Sequence, residues 1–476
     1  MASTERAQPQ LALLTEDQIQ RIHEQSLQIL ATTGMRVDAP WAREALVRAG
    51  APALTQDNIV RLPGDLVEWA LRVSPAQFDI HDQHGQVAFR LGQGDTTRFG
   101  IGVTTLYYQD PATNQLTQFT REHLENVVRL GHTLRSFDVI STVGIVQDTP
   151  PDQSDLYATL HMVAATTKPL VLLVSDEARF PAVLDLVEHL RGDLATFPCV
   201  IPYVNPITPL ILNAGTADKM RHTIRRGLPL IFSSYGMAGA TTPIPPLPRL
   251  ALLNAELLAG LTLAQTVREG TPVILGLLPA YFHMRGKDSA YDATSYLLNL
   301  ACAEMMSWYQ LPHSGASGSG MGWGPDLLTA GHQWANHLTS CLGKASLVPF
   351  VGDTLGSKAF SPASIVYANE VIAQCRDFAA GLDLETDPTL LEEIAETGPG
   401  GSFLLANSTL ERMHSAHFQS EIFPSLTLDD WQAQNRPQAQ KLLRDYTQQL
   451  IDGLQPAPGR DDLIARGTAL ITHILS

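Results

Sequence analysis

Cysteine is scarce in this chain of 476 residues. There are four, Cys199, Cys302, Cys341 and Cys375, far apart and with no C-x-x-C among them. Neither a disulfide framework nor a zinc site is indicated. Basic residues are also few: 32 Lys and Arg stand against 48 Asp and Glu, a formal net charge of −16. Such an acidic chain is not expected to bind nucleic acid or an anionic membrane surface. The opening MASTERAQPQ lacks the basic-then-apolar layout of a secretory leader. No apolar run is long enough for a bilayer span; Ala251 to Ala264 comes nearest and is interrupted by Asn254 and Glu256. The expectation is a cytoplasmic protein, with no membrane and no nucleic acid among its partners.

Familiar catalytic motifs are missing too. No G-x-G-x-x-G follows the first strand candidate and there is no Walker A sequence, so nucleotide folds gain no support. No G-x-S-x-G elbow appears; Gly318–Ser319–Gly320 lies in a glycine-rich run without evident His/Asp partners. Lys168 precedes its strand, so no lysine stands where a Schiff base needs one. His332 and His337 are five apart on a helix, where four would share a face for a metal. His81 and His84 read as solvated turn residues. No metal site is expected, and no catalytic acid or base can be named.

What is there is apolar: 44% of the residues, enough for a large core. The stretch Leu228 to Pro243, LPLIFSSYGMAGATTP, starts as a buried strand and turns into Gly, Ser and Tyr. Two glycines, Gly236 and Gly239, let the backbone bend or approach a ligand closely. Similar units recur. Strand candidates are Thr97–Val103, Val139–Ile145, Pro169–Ser175, Val200–Asn205, Leu230–Ser234, Pro272–Leu278, Pro312–Ser317 and Leu347–Gly352. Amphipathic helices fill the gaps, the sixth read as Tyr291–Tyr309. A spacing of roughly 30 to 40 residues is that of βα units. The expected fold is α/β: a (β/α)8 TIM barrel with an N-terminal helical cap and a C-terminal helical extension. A doubly wound sheet is the alternative. The expected divisions are 1–95 for the cap with a short hairpin, 96–382 for the barrel, and 383–476 for the extension packed on it.

In a barrel the site lies at the carboxyl ends of the strands. Those ends are rich in Gly, Ser and aromatics and poor in Lys, Asp and Glu. Candidate substrate-binding residues there are Tyr203, Asn205, Tyr235, Met237, Tyr281, Phe282, His283, Arg285, His313 and Trp323. Several aromatic faces around one cavity hold a quaternary ammonium by cation–π attraction, about 0.5–2 kcal/mol per ring.

Three blocks carry a resemblance. The first is ILATTGMRVDAP, EALVRAGA and VRLPGDLVEWAL, in order. The second is PLILNAG with the YGMAGATTPI stretch. The third is GPGGSFLLANSTLERM, Gly398 to Met413, followed by EIFPSL and Trp431. Spread over nearly the whole chain, they resemble the trimethylamine/quaternary-amine corrinoid methyltransferase family. The family's third block usually has histidine where Ser402 stands and another near Ser408. The trimethylamine enzymes contain pyrrolysine within the barrel, whereas every residue here is standard. The chain is therefore similar to the non-pyrrolysine branch, whose members act on betaines. The resemblance implies methyl transfer from a quaternary amine to the Co(I) corrinoid (cobalamin) of a small corrinoid-carrying partner protein. This chain has no D-x-H-x-x-G corrinoid signature of its own.

Such a reaction suits the lining. Removing a methyl from a quaternary ammonium leaves a neutral tertiary amine, so no proton is supplied, and the protein has to hold, desolvate and align the cation. For a betaine carboxylate, Arg285 is the expected partner and His283 the second choice; the other reading of Arg285 is an ion pair with Asp288. Two rivals stay open. One is another barrel enzyme on a small organic acid, with an acid/base pair among His283, His313, Asp353 and Asp148. The other is a non-catalytic betaine-binding barrel. The donor, the partner and the oligomeric state, a homo-oligomer included, are not fixed by the residues.

Overall fold

The structure, a computed structural model, describes residues 6–52, 57–92, 94, 96–285, 288–315, 321–343, 345–384, 388–413 and 416–476. Eight parallel strands form its centre: β1 Arg98–Ile101, β2 Val139–Ser141, β3 Leu170–Leu172, β4 Val200–Val204, β5 Leu230–Ala238, β6 Val273–His283, β7 His313–Ser314 and β8 Leu347–Val351. Each pairs with its neighbour in chain order. β8 returns to β1, and β5 and β6 are joined directly, so the sheet closes into a barrel. The helices α1 Arg121–Thr133, α2 Ser154–Ala165, α3 Phe180–Arg191, α4 Ala214–Arg225, α5 Pro246–Val267, α6 Ala293–Trp308, α7 Leu327–Leu342 and α8 Pro362–Ala380 follow the strands in turn. This is the expected (β/α)8 arrangement. Ser317 and the run Gly318–Ser319–Gly320 lie outside the described residues.

Strand alternation sorts the barrel into two shells. Inward residues Val139, Val171, Ile201, Ile231, Ile274 and Leu347 make one apolar layer. Below it, the hairpin Phe78–His81 with Val87–Leu91 inserts Ile80, Phe89 and Leu91 and plugs the N-terminal end. Above it the inward positions become small: Ser141, Ser233, Gly276 and Ser314. A Cβ on Gly276 would stand 2.8 Å from the Ser314 carbonyl oxygen and 3.0 Å from Ser233 Oγ. Narrow residues at this level leave room above the apolar floor.

Two strands run further than expected. β5 continues to Ala238 and β6 to His283, paired rung for rung from Leu230↔Val273 to Ala238↔Tyr281. Tyr235 and Met237 are thus strand residues and not loop residues. Gly236 lies within this strand; a Cβ there would meet Leu253 and Thr242 at 2.7 Å. The turn comes at Gly239, where φ is +83°. Arg249, fully buried on α5, braces the projecting ribbon by donating to the carbonyls of Gly236 and Ala280.

The flanking regions pack on the barrel wall. Near the N-terminus Thr15 and Gln18 form a capping box for the helix Glu16–Thr32. Its stripe of Ile19, Ile22 and Leu30 joins the same core as α5. By length and composition α5 could cross a membrane, against the expectation that no run would, yet 83% of its apolar window is buried inside the fold. At the other end Ile422, Leu443, Leu463 and Ile471 enter the core of α1, α2 and α3.

Candidate active site

The C-terminal ends of the strands gather a cluster centred on Tyr291. The Tyr235 and Tyr203 hydroxyls and the Asp353 carboxyl group lie within electrostatic reach of the Tyr291 phenol. Burial, reinforced by these neighbours, pushes the Tyr291 phenol well above its ordinary value. Tyr203 lies beside Ser233, and burial pushes its phenol up to about 12. Its ring meets Phe350 edge-on, with centroids 5.2 Å apart. Asp353 is 1% exposed, and its Oδ2 accepts from Ser357 Oγ at 2.5 Å. Three phenols and one buried carboxyl group thus converge above the small-residue layer. Ring faces of this kind attract a cation through their quadrupoles.

Local sequence explains each placement. Tyr203, Tyr235 and Met237 share the inward parity of Ile201 and Ile231 on their strands. Phe282 shares that of Ile274 on β6. Tyr291 precedes α6, whose N-cap is Asp292, accepting from the backbone N–H of Thr294 and Ser295. The expected helix start at Tyr291 therefore falls two residues early. The Tyr291 backbone N–H instead donates to Met321 Sδ at 3.4 Å, in the loop before α7.

Other candidates are placed elsewhere. Tyr281 has the outward parity of Leu275 and Leu277, and its ring lies over the Arg249 guanidinium at 5.1 Å. His313 is opposite Leu275 on the outer shell, fully buried, with neither ring nitrogen partnered. Burial alone pushes it down to about 3, so it is neutral and remote from solvent. His283 and Arg285 are exposed at the tip of the ribbon made by β6 and Asp288–Ala290. Asn205 is exposed past β4, its amide donating to the Pro206 carbonyl at 3.3 Å. Trp323 is 68% exposed, and its carbonyl accepts from Gln109 Nε2 at 2.7 Å. Asp148, considered for acid/base work, is paired with Arg121 at 2.9 Å.

Tyr291 and Phe350 were not among the sequence candidates. Phe350 has a physical reason for escaping: regular alternation from Leu347 turns it outward. A register shift between Val348 and Val351 turns it in. Among the described residues no group of three or more His, Cys, Asp or Glu is arranged to hold a metal ion. Ser402 and Ser408 are used locally: Ser402 Oγ accepts from the Leu404 N–H at 3.3 Å, and Ser408 bonds to Glu393.

Fold and lining together define a (β/α)8 barrel with a cluster of aromatic side chains and a buried carboxyl group at the carboxyl ends of its strands. Residues 1–466 match the Trimethylamine methyltransferase (MTTB) family, and the chain belongs to that family. It is 26% identical over 462 residues to a glycine betaine methyltransferase of Desulfitobacterium hafniense, covering 94% of each chain. It is 23% identical over 472 residues to the trimethylamine methyltransferase MttB2 of Methanosarcina mazei, covering 97% of this chain and 95% of that one. The crystal structure of the Methanosarcina barkeri monomethylamine methyltransferase aligns with 93% of this chain and 94% of its own, with a TM-score of 0.48 at 9% identity.

Proposed function

We propose that the chain is a cytoplasmic methyltransferase that moves a methyl group from a quaternary amine of betaine type to the Co(I) corrinoid of a small carrier protein. The observation that carries this reading is the convergence of Tyr203, Tyr235 and Tyr291 with buried Asp353 at the strand ends. The corrinoid supplies the nucleophilic cobalt that accepts the methyl. The chain's own task is to bind and orient the donor. Breaking the N–CH3 bond leaves the electron pair on nitrogen as a neutral amine, so no side chain has to deliver a proton. That fits the phenols of Tyr203 and Tyr291, which burial pushes upward. It also fits a cluster that offers faces and charge and no free base. Desolvation by the rings strengthens the pull of Asp353 on the cation and holds one methyl toward the open mouth. Arg285 and His283, exposed at the ribbon tip, are the proposed partners of a betaine carboxylate; Met237 and Phe282 are proposed as the apolar sides.

The test is anaerobic. The protein is mixed with chemically reduced cobalamin and, separately, glycine betaine, proline betaine, carnitine, choline and trimethylamine, and the visible spectrum is followed. Conversion of Co(I) to methyl-Co(III) with a betaine is the expected result. Calorimetric binding of a betaine without methylation would point to a binding protein instead, and neither binding nor methylation would overturn the reading.

A further inference from the structure

The segment 388–413 stands apart from the rest of the fold. Its helix Pro388–Thr397 and the turn-and-helix from Phe403 to Arg412 contribute no side chain to any of the three apolar cores. Yet it carries Leu391, Ile394, Phe403, Leu404, Leu405 and Leu410, each between 43% and 84% exposed. Together they present on the order of 700 Å² of apolar surface, close to the ~800 Å² that each partner of a standard stable complex buries. Solvent-facing leucines at this density mark an interaction surface.

The same chain offers a matching concavity. Three cavities of about 450, 360 and 610 Å³ adjoin one another around Phe423, between α7, α8 and the helix Ala439–Asp452. Their walls include Leu327, Tyr367, Leu428 and Trp431. Of these, Leu327 is 91% exposed and Leu428 67%.

We infer that the arm 388–413 of one copy seats its leucines in the Phe423 groove of a second copy of this chain. Two arms exchanged about a two-fold axis would bury roughly 1,400 Å² of apolar surface from the arms alone, within the range of standard stable complexes before the groove surface is added. The apolar character favours a second copy over the corrinoid carrier, because a partner that must dissociate in every cycle uses a smaller and more polar contact. With a net charge of −16 per copy, long-range forces oppose self-association, so the contact has to be apolar.

This inference is independent of the donor chemistry and is tested separately from it. Sedimentation velocity on the full chain at micromolar concentration should give twice the chain mass. The double variant Leu404→Asp/Leu405→Asp (arm) and the variant Leu327→Asp (groove) should each run as monomers, with the dissociation constant raised at least 100-fold. Their far-UV spectra and melting temperatures should match the parent's, since these side chains are exposed in the single chain. Mixed one to one, the two variants should recover a dimer, because one sound arm still meets one sound groove. A monomeric parent, a dimer that survives either substitution, or no recovery on mixing overturns the inference. A monomeric parent that binds the carrier only with its arm intact would assign the arm to the carrier instead.

Discussion

Tyr291 is the residue on which the proposed site turns, because it lies at the centre of the cluster. Tyr235, Tyr203 and Asp353 all lie within electrostatic reach of its hydroxyl. The ring and the hydroxyl can be separated experimentally. Tyr291→Phe removes only the hydroxyl and keeps a face for the cation. Tyr291→Leu removes the face, and should weaken binding of a quaternary amine by about 2- to 30-fold, the equivalent of 0.5–2 kcal/mol. Asp353→Asn should weaken it further than Tyr291→Phe does, because it removes the charge. Calorimetry with the donor found active in the cobalamin assay checks all three, and equal affinities for parent and Tyr291→Leu would remove Tyr291 from the site. The phenols of Tyr203 and Tyr291 are shifted upward, so neither ionises near neutrality. Affinity for a permanently charged donor should therefore be unchanged by these groups between pH 6.5 and 9.

At the level of strands and helices, much was legible. Each apolar run bounded by Gly, Pro or polar residues announces a buried strand, and eight of them at βα spacing leave few closed arrangements. Strand length was not legible, because β5 and β6 extend by pairing with each other, a contact invisible to local pattern. That error decided the site: with β6 running to His283, alternation sends Tyr281 outward to Arg249 and Phe282 inward. The bulge in β8 did the same for Phe350. Histidines mislead for a related reason, since burial makes them core residues. His337 on α7 meets Phe99 edge-on at 5.3 Å with neither ring nitrogen partnered, and burial, with Arg376 nearby, pushes it down to about 3. The folded state keeps it neutral while the unfolded chain takes up a proton near its ordinary value. Stability present above about pH 6.5 is thus lost as pH falls toward 3. His337→Leu should escape that loss, gaining up to about 2 kcal/mol over the parent at pH 5, with the gap closing by pH 8. A difference in melting temperature that does not vary with pH would show that His337 titrates normally.

For the whole molecule, the question is whether the C-terminal helices are an attachment or part of the barrel's cooperative unit. The helix Arg460–Leu475 lies on α2 and α3. It comes so close to α2 that a Cβ on Gly467 would stand 2.2 Å from Leu160 Cδ1, and Leu160 is fully buried. Arg460 donates to Glu125, which also pairs with His161 at 3.1 Å. Hydrogen bonds from His161 and Arg460 outweigh the burial that opposes them and hold the Glu125 carboxyl down at about 2. Leu463 and Ile471 share their core with Val127 of α1 and Val163 of α2. A side chain at position 467 cannot be absorbed by an exposed neighbour; the helix must lift or Leu160 must leave its rotamer. Gly467→Val should therefore destabilise the protein by about 1–3 kcal/mol, as overpacking of a filled core does. If barrel and extension unfold together, the loss appears as one lowered transition, in which helix content and donor binding disappear at the same temperature. If the extension is only attached, limited proteolysis of the variant will release the C-terminal helix while the barrel keeps the parent's transition. The shared core argues for the first outcome, because lifting one helix from α2 exposes side chains that α1 and α3 also need.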